Sequence, residues 1–410
     1  MFPQLDPTEA RYLAEIIVSI LGVVLFLGLA IWIIRRKQTA KPTEPTPVAP
    51  TPTEAGSEPR SAQKQEQLHA DLVHVYQTWK TERLLQSEDG RSLFLRNGVE
   101  KNGLRYQLVA KTQVQALAIY LCALMAEADP QASVQAEALF ASLLAHPAYG
   151  HRELSSWQYL PDLPRSPRLD PDPHAEAWVI LALKVATKRW AGINRFNYTE
   201  IIPEKLQALR EYTAAQEPEM VAQLSFSGFL TNQLLPLNSK LDWSELGESR
   251  EQFFARFLEP GYLRSEPVAS RLGMSLFQLG MLALLERDLE AIRVIRTMQA
   301  EMVGFAEEWM ITPSEEPDFS RVAMLASAVP ALLSLEVKEL NERVWNALRD
   351  SQPDKNDGLG ATLKVIAMAF LAGEQGAGSR EQKYYITQPH SSSVEPALGW
   401  ITFWGLCPRV

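Results

Sequence analysis

The chain has 410 residues, 46% hydrophobic and 22% charged, proportions that supply a full core and exclude disorder over most of the length. Its net charge of -9, with no clustered Lys/Arg stripe in the C-terminal part, excludes the phosphate-neutralising surface that nucleic-acid binding needs. Cys122 and Cys407 are the only cysteines, too few for a disulfide framework or a cysteine-based zinc site, and no metal or cofactor is expected.

Residues 1–15 form a short tail in which Asp6, Glu9 and Glu15 outweigh Arg11. From Ile16 to Ile34 nineteen residues carry no charge, and at helical rise such a run matches the ~30 Å hydrocarbon thickness, so it predicts one transmembrane helix. A cleaved signal peptide would need a basic start and a small-residue cleavage site. Here the start is acidic, and Arg35, Arg36 and Lys37 follow. Those cations and Lys41 predict a bacterial inner-membrane protein with its C-terminal part on the cytoplasmic side. A periplasmic domain is the other topology. The flank and linker, 35–62, hold six prolines within residues 38–62 and no apolar period, so they read as an extended spacer.

Over residues 63–410 the apolar spacing is helical, with no sustained period of two. Helices are predicted to begin near residues 64, 110, 132, 173, 203, 217, 247, 268, 287, 318, 333, 359 and 394. Asp172-Pro173 pairs an N-cap with proline at the first helical position. Gly273 and Gly280 lie seven apart on one helix face, where a neighbouring helix can approach closely. No 34- to 45-residue repeat is visible, which disfavours a regular solenoid.

Several segments, in order, resemble the family 8 glycoside hydrolases, especially the endoglucanases that accompany bacterial cellulose synthesis. Thr112-Gln113-Val114-Gln115 before an apolar run resembles the family's Ser-Glu-Gly-Gln motif. Trp157-Gln158-Tyr159 resembles its Trp-x-Trp-like segment. Pro173-His174-Ala175-Glu176, opening a helix that ends at Trp190, resembles Thr-Asp-Ala-Asp. Pro267-Val268-Ala269-Ser270-Arg271 resembles Tyr-Asp-Ala-x-Arg, and Ser327-Ala328-Val329-Pro330-Ala331-Leu332 resembles Ser-Ala-x-x-Pro-x-Leu. The resemblance spans about residues 75–335 and implies an all-α fold, an (α/α)6 toroid with a substrate groove across the ends of its inner helices.

The matched positions depart from the family at its chemistry. An inverting glycosidase needs a carboxylic acid for the leaving oxygen and a carboxylate to activate water. Gln113 stands at the acid position and Val268 at the base position, while His174 and Glu176 stand at the paired aspartates. If hydrolysis survives, its candidate carboxylates are Glu176, Asp172 and Glu266. Candidate saccharide contacts are Gln113, Trp157, Tyr159, Asp170, His174, Glu176 and Arg271. Against these stand plainer roles: Asp172 as a cap, Asp170 as a solvated turn residue, Glu176 as a complement to the helix dipole, and Trp178 and Trp190 as core. His146 and His151 have nothing beside them to complete a metal site. Residues 373–379 are glycine-rich but lack a P-loop's Lys-Ser/Thr ending, and read as a loop.

The expected function is therefore a membrane-anchored, glycosidase-like toroid, degenerate in catalysis, that binds saccharide or acts as a scaffold near a polysaccharide synthesis or secretion complex. Two alternatives are an active inverting endo-glycosidase on β-glucans with relocated carboxylates, and a cytoplasmic domain that docks a protein partner of a membrane complex.

Overall fold

A computed structural model describes residues 58–87, 90, 92–102, 105–161, 168–190, 195–215, 250–265, 269–285, 287–311 and 320–376. The segment 16–34, the linker up to residue 57, the helices expected near 217 and 394, Glu266, Val268 and Cys407 lie outside them. Among the described residues no helix is long and apolar enough to cross a membrane. The chain divides into two units, 1–60 and 61–410, and the architecture below is that of the second.

Helix α1 spans Glu58–Arg83, so helix already covers residues 58–62, assigned from sequence to the spacer. Strands β1 (Leu84–Gln86), β2 (Leu93–Leu95), β3 (Val99–Asn102), β4 (Arg105–Leu108) and β5 (Ala110–Lys111) lead into α2 (Thr112–Leu124) and α3 (Ala132–Ala145). Strands β6 (Pro147–Ala148), β7 (His151–Ser155) and β8 (Gln158–Tyr159) precede α4 (Pro173–Arg189) and α5 (Tyr198–Ala214). Then come α6 (Arg250–Leu258), α7 (Tyr262–Ser265), α8 (Ala269–Leu285), α9 (Leu289–Thr297), α10 (Gln299–Ile311), α11 (Arg321–Ser334), α12 (Lys338–Asp350) and α13 (Gly358–Gly376).

Helices of two kinds alternate. In α2 every residue from Val114 to Ala123 is buried, and in α11 every residue from Val322 to Leu333. A helix apolar on all sides belongs inside. By contrast α12 buries only Leu340, Asn341, Val344, Trp345 and Leu348, one face at helical spacing. The buried helices pack on one another, α2 on α4, α8 on α11 and α11 on α13, and α13 returns to α2. The Trp178 and Phe277 rings, with centroids 5.7 Å apart, join α4 to α8. Each outer helix leans on its inner neighbour: α3 on α2, α5 on α4, α9 on α8, α12 on α11 and α13. Each fully buried Leu or Phe in this core contributes roughly 2 kcal/mol.

The frame is helical as expected, with short strands that the sequence did not announce. Four two-stranded antiparallel sheets, β1 with β2, β3 with β4, β5 with β8 and β6 with β7, sit among the helices. Their strands run from two to five residues, too short to display an alternating pattern. The helix expected near 333 begins at Lys338, because α11 runs on to Ser334 and Glu336 takes a φ of 57° before the chain turns back into helix. Residues 373–376 are the last turn of α13 rather than loop.

Candidate functional site

The residues singled out from sequence gather where α2 and α4 begin. Thr112 opens α2. Its amide donates to the Trp157 carbonyl at 3.0 Å and its hydroxyl to the Ser156 carbonyl at 2.6 Å. The Trp157 amide donates to the Asp170 carbonyl at 3.1 Å, and two residues later Asp172 caps α4 by accepting from the His174 amide at 2.9 Å. Thr112, Trp157, Asp170, Asp172 and His174 are thus strung along one path of chain and hydrogen bonds, with Gln113 next to Thr112. Gln113 is half-buried, Trp157 is 40% exposed and Asp170 is exposed.

The backbone beneath Trp157 is held on all sides. The Ser156 amide donates to the His146 carbonyl at 3.0 Å, and the Ser156 hydroxyl to the Pro147 carbonyl at 3.0 Å. The Ser155 amide donates to Glu176 Oε1 at 2.6 Å. An exposed indole on a fixed backbone loses little freedom when it stacks on a ligand.

Glu176 does not line an open groove. It is fully buried, and its second oxygen accepts from Lys205 Nζ at 3.0 Å. Lys205, 2% exposed, also donates to the Glu153 carbonyl at 2.7 Å. The pair ties α4, α5 and β7 together, and each partner satisfies the other where a lone charge would be costly. Neither the catalytic nor the helix-dipole reading of Glu176 anticipated this partner.

His174 Nε2 lies 2.6 Å from Gln278 Nε2 on α8. Burial lowers the imidazole's pKa against the upward pull of Asp172, so a neutral ring accepts the amide proton of Gln278. Gln115, also buried, reaches Leu95 with both ends of its amide, accepting from its N–H at 2.9 Å and donating to its carbonyl at 3.0 Å.

Tyr159 corrects the sequence reading. It is 1% exposed, shares a 3.0 Å hydrogen bond with the Ser142 hydroxyl, and stacks on His146 with centroids 4.2 Å apart. It is core, with no face left for a sugar. Trp178 is buried as expected, and Trp190 packs against the core. Arg271 is exposed near the start of α8, two turns from Gln278, and no hydrogen bond or ion pair among the described residues joins it to the group. Among the described residues no three His, Cys, Asp or Glu side chains cluster to hold a metal. A shallow depression of about 390 Å³ on α9, lined by Leu289, Ile292, Arg293, Arg296 and Thr297, shares no residue with this group.

Sequence reasoning missed Lys205, Gln278 and Gln115. Lys205 had a legible signal, because it sits on the apolar stripe of Ile202, Leu206 and Leu209, where an unpaired lysine would be expensive.

No family model matches the chain, and no curated protein does. Solved structures do. A β-1,3-1,4-glucanase from Paenibacillus sp. X4 superposes with a TM-score of 0.59 at 12% identity, covering 76% of this chain and 93% of its own. Rex8A from Paenibacillus barcinonensis, solved with xylose, gives 0.57 at 15% identity, with 77% and 95% covered. A cold-adapted family 8 xylanase gives 0.50 at 13%, with 76% and 91% covered. The chain therefore has the fold of the family 8 glycoside hydrolases.

Proposed function

We propose that this chain is a membrane-anchored, non-hydrolytic relative of the family 8 enzymes that holds a saccharide strand at the N-terminal ends of α2 and α4, beside a machine that makes or exports polysaccharide. One observation carries the reading. Glu176, the one carboxylate retained among the described positions matched to the family's acids, is locked in a buried ion pair with Lys205, while Trp157 beside it remains exposed on a fixed backbone. Gln113, at the acid position, can hydrogen-bond a glycosidic oxygen but has no proton of suitable acidity to give it. Contact is kept and proton transfer is lost. The uncharged run 16–34 and the basic residues after it support the anchor.

The test uses the purified full-length chain with soluble β-glucan and xylan. Retained binding, abolished by Trp157→Ala and without release of reducing ends, is the expected result. Robust turnover abolished by replacing Asp172, Glu176 or Glu266 would establish instead an active hydrolase with relocated acids, since proton transfer contributes ~10²–10⁴-fold. A C-terminal reporter fusion decides the side of the membrane; a cytoplasmic signal without glycan binding would favour the protein-docking alternative.

A further inference from the structure

A second exposed aromatic stands close to Trp157. Tyr149, at the turn between β6 and β7, is 69% exposed, and its amide donates to the Leu169 carbonyl at 3.0 Å. Trp157 donates to the very next carbonyl, that of Asp170. The two aromatic residues are therefore pinned to adjacent positions of one segment. Their Cα atoms lie at most about 14 Å apart, which is two hydrogen-bonded spacings of ~5 Å plus one Cα step.

The residues around this segment are polar and aromatic. Asp170 is exposed and Asp172 half-buried. The carboxylates of both raise the pKa of Tyr212 on α5, after burial as the larger cause. The His151 ring meets Tyr212 edge-on at 5.1 Å. Hydroxyl-accepting carboxylates set among aromatic faces suit a ring with apolar C–H faces and equatorial hydroxyls. The carboxylates of Asp170, to which Trp157 is pinned, and of Asp172 at the start of α4 repel a uronic-acid polymer and tolerate a neutral one.

We propose that Tyr149 is an outer stacking residue which extends the Trp157 site along Leu169–Asp170, so that the chain engages a neutral glycan long enough to cover both aromatics at once. The proposal rests on the saccharide reading above and adds to it a minimum length and a charge class. Tyr149 sits on a turn where Gly150 takes a φ of 72°, and its ring is exposed there. A large apolar ring left in water gains by being covered.

Affinities of the full-length chain for neutral β-linked oligosaccharides, from disaccharide to hexasaccharide, test this. Trp157→Ala should weaken binding at every length. Tyr149→Ala should leave the disaccharide unchanged and weaken the hexasaccharide about tenfold, a loss of about 1.4 kcal/mol, while Tyr149→Phe keeps the wild-type length dependence. If Trp157→Ala loses binding and Tyr149→Ala matches wild type at all lengths, the outer site fails and the saccharide reading stands. An equal loss by Tyr149→Ala at every length would assign Tyr149 a structural part and overturn the proposal. If the wild-type chain binds no neutral oligosaccharide, the saccharide reading itself fails and takes the outer site with it.

Discussion

Lys205 and Glu176 form a buried ion pair across α5 and α4, with Nζ 3.0 Å from Oε2. The residues stand 29 apart in sequence, and each also holds β7, Lys205 through the Glu153 carbonyl and Glu176 through the Ser155 amide. Because β7 leads directly into Trp157, the pair fixes the strand on which the exposed indole is mounted. Removing one partner leaves the other charge buried alone, which costs about 3–5 kcal/mol. Lys205→Met should therefore lower the unfolding free energy, read from chemical denaturation, by that order. Adding Glu176→Leu to Lys205→Met should recover part of the loss, since an apolar pair of similar volume is tolerated where a single charge is not. A double variant no more stable than Lys205→Met would show that the pair is not what the strand depends on.

Asp172 separates capping from catalysis. Its carboxylate accepts from the His174 amide at the start of α4, a bond that an asparagine oxygen can also accept. Asp172→Ala should cost about 1 kcal/mol of stability, and Asp172→Asn only a few tenths. Saccharide binding should survive in the asparagine variant. A stable Asp172→Asn protein with an abolished reaction would instead mark the residue as a working carboxylate.

Lys364 gives a pH signature. The residue is 7% exposed on α13, and its ammonium donates to the Ser351 carbonyl at 2.7 Å. Burial pushes its pKa down from 10.5 to about 8. Between these two values the unfolded chain holds a proton that the folded chain has released, so stability rises with pH across the window. Below about pH 8 both states are protonated and the burial penalty is fully present. Wild-type stability minus that of Lys364→Met should therefore increase from pH 8 to pH 10, as read from denaturant midpoints. A flat difference over that range would remove the depressed lysine.

Much of the frame could be read from sequence, and the reason is physical. A helix buried on all sides must be apolar on all sides, so Thr112–Leu124, Pro173–Arg189 and Arg321–Ser334 stood out, and the Asp172-Pro173 cap marked its boundary to the residue. The strands were not legible, because segments such as Ala110–Lys111 and Gln158–Tyr159 carry too few residues for any period. Helix α10 was merged with its predecessor, since only Met298 separates Thr297 from Gln299. At the site, Trp157 was found because a tryptophan among serines and prolines has nowhere to hide, whereas Tyr159, two residues on, turned inward to meet Ser142. Pairings distant in sequence, Lys205 with Glu176 and Gln278 with His174, follow from the packing of helices: the place of Lys205 on an apolar stripe signals a buried charge, but nothing local names its partner.

The contact of α8 with α11 turns on Gly280. A methyl group placed there would stand 2.3 Å from the Ala331 amide nitrogen and 2.6 Å from the Pro330 carbonyl carbon, and both are backbone atoms that cannot rotate aside. Pro330, inside α11, donates no hydrogen bond at this point, so the two helices close on a glycine facing a proline. Gly280→Ala must push the inner helices apart, and overpacking of this kind costs about 1–3 kcal/mol even after the gain in helix propensity. Gly304, on the outer helix α10, has nothing within 4 Å of the same added methyl. There the propensity gain of up to about 1 kcal/mol is unopposed, so Gly304→Ala should raise the melting temperature while Gly280→Ala lowers it. Equal shifts from the two substitutions would mean that α8 and α11 do not approach at Gly280 as closely as the structure places them.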